Sequence, residues 1–256
     1  MKKIVFASAL ALTLAGAVLT NDVFANDRLV ATQSADGNVL TSEVLKPSSG
    51  NVLVGIKGEF VAPHQQSILD AINAIRKEAA DEGLVDKYVP IKWSTDLEKA
   101  AFVRATEASV TMKHDRLSSK DLWSAFPTSN SIMGENLAWN HDGFLKAIEQ
   151  WRSEKADYVQ KKNSGSDNGK SGHYESLINP KFTHMGMAAF KNPNNPYKAI
   201  TIAQTLGDDA SSEELAGGYG SAVQYTEVTA SNLSTVKTKA TVVEKPLKDF
   251  RASTSD

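Results

Sequence analysis

The sequence predicts an α+β domain, on two observations. Three stretches with helical periodicity come first, and two short apolar segments, Met185 to Phe190 and Ala199 to Leu206, follow them across the loop signal Asn192-Pro193-Asn194-Asn195-Pro196. Strands and helices do not alternate repeatedly, which argues against a doubly wound parallel sheet and for helices packed on a mainly antiparallel one.

Each element has its own signals. Ile68, Ile72, Ile75 and Ala79 recur at helical spacing after Pro63 and stop before Gly83, an amphipathic helix with a start and a stop. Thr95-Asp96-Leu97-Glu98 has capping-box spacing, and Leu97, Ala101, Ala105 and Ala108 then form a small-residue face suited to close packing. Asp142 can cap a third helix running to Tyr158. The two late apolar segments pair antiparallel through their Asn/Pro loop.

The flanks read differently. Lys2 and Lys3, the apolar run from Ile4 to Leu19, and Val23-Phe24-Ala25 predict a signal peptide over residues 1–25, cleaved after Ala25. Residues 26–62 are polar and rich in turn signals, so a linker is expected, with one short strand at Val52 to Ile56. Residues 208–256 are rich in Ser, Thr, Ala and Lys, and such a tail is expected to be largely disordered because it buries too little apolar surface to offset its ordering entropy. The folded domain is therefore drawn over residues 63–207. No wall-sorting signal is found in the tail, so a secreted product without a covalent wall anchor is expected, with cell-surface association as an open alternative.

Composition excludes several functions. Twenty-eight Lys and Arg against thirty Asp and Glu give a formal charge of −2, leaving no broad basic surface for nucleic acid. No later segment approaches the ~20 apolar residues of a membrane span, so no stable membrane insertion is expected once the leader is removed. The chain has no cysteine, which removes disulfides, thiolate nucleophiles and zinc-thiolate sites. Gly165 to Ser171 imitates a phosphate loop with one residue too few between its glycines and reads as an ordinary loop.

Four polar residues stand in conspicuous settings. On a continuous third helix Glu154 shares a stripe with Ala147, Trp151 and Tyr158, so its carboxylate is expected to be partly buried and to need a partner; an ion pair with Lys155 or a position at the helix edge is the plainer alternative. His114 follows the second helix, Glu135 lies in Met133 to Trp139 among apolar residues, and His173 lies in Ser171-Gly172-His173-Tyr174. Taken singly, each histidine reads more simply as a hydrogen-bonded core residue.

Together the motifs resemble a known family. Gly134-Glu135-Asn136-Leu137, Gly172-His173-Tyr174, Trp151-x-x-Glu154, Asn179-Pro180 with His184-x-Gly186-x-Ala188, Ile72-Asn73-x-x-Arg76 and Lys92-Trp93-x-x-x-Leu97 resemble segments of the CAP superfamily, the SCP-like extracellular proteins. The likeness is nearest to bacterial secreted forms, including surface-exclusion domains. It implies a three-layer α-β-α sandwich whose cleft gathers His114, Glu135, Glu154 and His173, with His114 and His173 as ligands for a divalent metal, zinc first and calcium or magnesium as alternatives. The function it implies is extracellular or cell-surface interaction with a protein or peptide ligand. The alternative is a metal-assisted hydrolase, a peptidase among them, using all four residues catalytically with Glu135 or Glu154 as general base. One departure stands out: Glu175 and Ser176 replace the Thr-Gln that follows Gly-His-Tyr in many members.

Overall fold

The structure, a computed structural model, describes residues 31–34, 47–125, 132–195, 197–208 and 211–243. The proposed leader lies outside them. Among the described residues the elements run β1 (Ala31–Ser34), β2 (Asn51–Phe60), α1 (Gln65–Asp81), β3 (Lys92–Trp93), α2 (Thr95–Thr111), a 3-10 turn (Leu122–Ala125), β4 (Ile132–Asn140), α3 (Phe144–Arg152), α4 (Lys155–Ser164), α5 (Gly172–Ile178), β5 (His184–Lys191), β6 (Ile200–Gly207), β7 (Gly220–Thr229), α6 (Ala230–Lys239) and β8 (Thr241–Val243). The predicted α+β class and mainly antiparallel sheet are what is found. The strand order is β1-β7-β2-β5-β6-β4, with β8 on β2 and β3 on β5, the last pair being parallel.

Three layers follow from the burial pattern. One face of the sheet carries α2, whose Ala101, Phe102, Ala105 and Ala108 pack with Phe60, Ala188, Phe190 and Val228. The other carries α1, α3 and α5, where Ile68, Ile72, Ile148, Trp151, Tyr174 and Leu177 pack with Met185, Met187 and Ile202. Helix α2 is buried on nearly every side, and its alanines let it lie against the sheet. The closest approach is at Gly186, where a Cβ would stand 2.0 Å from the backbone nitrogen of Glu98. That is the physical content of the His-x-Gly-x-Ala pattern. On the opposite layer Arg76 is buried and donates to the carbonyls of Val89, Leu177, Asn179 and Phe182. Burial lowers its pKa to about 10, and it ties α1 to the turn after α5.

The structure corrects four expectations. The stretch 26–62 is not simply a linker, because β2 runs for ten residues inside the sheet; nor is 208–256 largely disordered, because β7 pairs with β2 along the full length from Asn51↔Thr229 to Phe60↔Gly220. The reason the tail looked unstructured is that the α2-facing positions of β7 include the polar Gln224 and Thr226, both fully buried, so no apolar alternation shows. The parts of these flanks at 26–30, 35–46, 209–210 and 244–256 lie outside the described residues.

The other two corrections concern helix ends. Ser94, not Thr95, caps α2 by accepting the Leu97 N–H at 3.1 Å. The third helix is two helices: α3 begins after Gly143, with the Asn140 side chain and not Asp142 holding the turn, and the chain breaks at Ser153 and Glu154 before α4.

Candidate functional site

Strand β4 is a sheet edge, and its successive side chains point to opposite faces. Glu135 turns to the α2 layer, and Asn136 to the α1/α3/α5 layer. Each anchors one histidine.

On the α2 side, Met112 in the left-handed conformation (φ 56°) ends the helix and sends the chain back towards β4. This puts His114 Nδ1 2.7 Å from Glu135 Oε1. The Glu135 side chain is 1% exposed, whereas that of His114 is 55% exposed. Beneath them Arg104 donates from Nε to Glu135 Oε2 (2.6 Å) and from Nη2 to the His114 carbonyl (2.7 Å). Its Nη1 donates to Glu107, which also accepts from Arg116 Nε and Nη2 and from the Thr226 hydroxyl. Burial alone would push the Glu107 carboxyl up, but the Arg116 and Arg104 guanidiniums outweigh it and hold the carboxyl below its ordinary range. Two guanidiniums and two carboxylates thus form a balanced buried cluster under His114.

On the other side, the break between α3 and α4 aims Glu154 at the start of α5. Its Oε1 lies 2.5 Å from His173 Nδ1, and its Oε2 accepts the backbone N–H groups of His173 (2.8 Å) and Tyr174 (3.3 Å). Ser171 makes no side-chain cap at this helix start, so Glu154 satisfies the orphan donors instead. Trp151 stacks on His173 with ring centroids 6.4 Å apart, and Asn136 Nδ2 donates to the His173 carbonyl and to Gln204 Oε1. The expected partner of Glu154 is therefore His173. Lys155 pairs with Glu78 and Glu82, and Glu175 turns outward to Lys161.

All four sequence-predicted residues thus fall into two like-built His/Glu pairs flanking the edge strand. Among the described residues no group of three or more His, Cys, Asp and Glu side chains has metal-holding geometry. In each pair Nδ1 faces a carboxylate, which accepts a proton from it; in the neutral imidazole Nε2 would then carry the lone pair, the tautomer a metal-ligating histidine needs. The residues present fit a two-histidine cation site in that respect. A cavity of about 1040 Å³ lies elsewhere, where β2, β5, β6 and β7 end beside His141, and none of the four residues lines it.

Sequence reasoning missed the support. Arg104, Glu107 and Arg116 sit on or just after a helix read only for its alanines; the signal present was an Arg and a Glu three apart among small residues.

The model of the CAP family, described as the cysteine-rich secretory protein family, matches residues 69–205, more than half of the sequence. The chain belongs to the CAP family. This CAP domain is 28% identical over 138 residues to pathogenesis-related protein 1C of Nicotiana tabacum, an alignment covering 52% of the chain and 70% of that protein. Among solved structures, an outer surface protein from Borrelia burgdorferi aligns at TM-score 0.38 and 15% identity, over 59% of this chain and 99% of that one. Unlike the family's description, this CAP domain contains no cysteine. Strands β2 and β7 and helix α6 lie outside the matched residues, yet Thr226 of β7 bonds directly to the cluster beneath His114.

Proposed function

We propose that this protein is an extracellular CAP-domain interaction module that takes a divalent cation, zinc first, through Nε2 of His114 and His173 and presents the surrounding cleft to a protein or peptide ligand. The observation that carries the reading is the matched pair of Nδ1–carboxylate contacts, each of which commits Nδ1 of one imidazole and leaves its Nε2 for a ligand. Extracellular placement is supported by the secretory description of the family and by the leader-like first 25 residues; among the described residues no helix is long and apolar enough to cross a membrane.

A hydrolase using the same cleft is the second reading, and one asymmetry favours a particular base. Glu135 is already engaged by the Arg104 guanidinium and closed to solvent, so it serves as an anchor. Glu154 is 22% exposed and, among the described residues, meets no Arg or Lys side chain, so of the two carboxylates it is the one that water can reach. A bound cation would supply charge to polarise a carbonyl or a water.

Titration calorimetry with zinc decides the cation site. Wild type should bind, and a His114→Ala/His173→Ala variant should lose the affinity while keeping its circular dichroism, because both rings border the surface. Protons compete with the cation for imidazole, so binding should weaken in acid. Equal affinity in the two proteins would overturn the site and leave the pairs as a structural hydrogen-bond network.

A further inference from the structure

A second cavity, of about 520 Å³, opens between the loop that follows α2 and one face of α6. Its walls come from Thr111, Lys113, Asp115, Arg116, Ser119 and Lys120 on one side, and from Asn232, Thr235 and Lys239 on the other. The last three lie at i, i+3 and i+7, a single stripe of α6. The lining residues are all polar or charged, with four cationic side chains and one carboxylate, in a protein whose formal charge is −2.

The cations differ in how far they are already committed. Lys120 is paired with Glu227 at 2.8 Å. Arg116 is the built element: its side chain is 6% exposed and its guanidinium is fixed by Nε and Nη2 on Glu107 and by Nη1 on Ser124. Those bonds use three of its five N–H donors among the described residues. Lys113 makes no side-chain bond among the described residues, and Lys239 makes only a long one, 3.4 Å, to the Val110 carbonyl. Ser119 and Thr235 add hydroxyls. Rigid guanidinium N–H groups, two mobile ammoniums and hydroxyls around one volume suit a tetrahedral oxyanion with several acceptor oxygens better than a planar carboxylate. The volume exceeds that of a phosphate ion, and a wall of polar side chains suits a hydroxylated body over a lipid tail.

We infer that this cavity is a binding site for a small phosphate monoester with a polyol body, of the sugar phosphate kind, held by Arg116, Lys113 and Lys239. One wall belongs to α6, outside the residues matched by the family model, so the site is a feature of this chain's C-terminal segment. It adjoins His114 through Lys113 and Asp115 and does not depend on a cation there.

The test uses the full chain and glucose 6-phosphate, with inorganic phosphate and glucose as companions, followed by calorimetry and by amide shifts in a ¹⁵N spectrum. Glucose 6-phosphate should bind saturably and shift amides of 113–120 and 232–239. A Lys113→Ala/Lys239→Ala variant, both side chains being peripheral to the core, should weaken binding at least about tenfold, the loss of two charge-assisted contacts. His114→Ala/His173→Ala should leave it unchanged, which separates this site from the proposed cation site. No saturable binding of glucose 6-phosphate, or undiminished binding by the lysine variant, would overturn the site; inorganic phosphate binding as tightly as the ester would overturn the polyol assignment.

Discussion

Replacing Glu107 with Gln tests whether the cluster beneath His114 holds the domain together. Glu107 is fully buried and accepts four bonds: Oε2 from Arg104 Nη1 (2.5 Å) and Arg116 Nε (3.0 Å), Oε1 from Arg116 Nη2 (2.9 Å) and Thr226 Oγ1 (2.5 Å). A glutamine keeps one oxygen; its NH₂ faces either two guanidinium donors at the Oε2 position, or Arg116 Nη2 and the Thr226 hydroxyl, which can turn to accept, at the Oε1 position. At least one charge-assisted bond worth about 1.5–3 kcal/mol is lost, and one guanidinium is left uncompensated in the core. The expected destabilisation is about 3–5 kcal/mol, the range for breaking a buried ion pair. The exposed pair Lys77 and Asp81, with side chains 60% and 63% exposed, is the control, and D81N should cost under about 1 kcal/mol. The assay is urea unfolding of wild type, E107Q and D81N, followed by fluorescence and circular dichroism together.

The pH dependence follows from the same contacts. The folded pKa of Glu107 is depressed, so its contribution is fully present above the ordinary glutamate value and is lost as pH falls through the folded value. E107Q should therefore flatten the acid side of the stability profile. A cost for E107Q no larger than for D81N, or an unchanged acid limb, would refute the argument.

Two further outcomes are expected. Glu98 has the opposite sign: burial raises its carboxyl against the bonds from Tyr219, the Ala216 N–H and Trp93 Nε1, so the fold favours its protonated form and gains stability from this group as pH falls through the raised value towards the ordinary one; the stability difference between wild type and E98Q, read from urea midpoints across a pH series, should move towards wild type in acid. Gly186→Ala puts a methyl against α2 backbone that has no flexible end to yield, so the cost should reach the upper end of the overpacking range, about 3 kcal/mol, and lower Tm by at least about 6 °C; an unchanged melting curve would mean that α2 does not lie as close to β5 as described.

What the sequence determined by itself was local. Ile68, Ile72, Ile75 and Ala79 define α1 because helical periodicity needs only neighbouring residues, and the Asn/Pro loop announces the β5–β6 pair for the same reason. The four candidate residues were legible as ordered motifs, but the demand for a partner at Glu154 rested on a continuous third helix, which the chain breaks at Ser153 and Glu154. Tertiary structure alone decided which partner: His173 lies nineteen positions away, and it is reached because the helix breaks at Ser153 and Glu154 caps α5. The pairing of β2 with β7 was likewise invisible, since strands so far apart in sequence share no local signal and the inward positions of β7 carry Gln224 and Thr226. Thr226 points inward because α2 brings a buried ion cluster to meet it, a charge balance that exists only once Arg104, Glu107, Arg116 and Glu135 have been folded into one place.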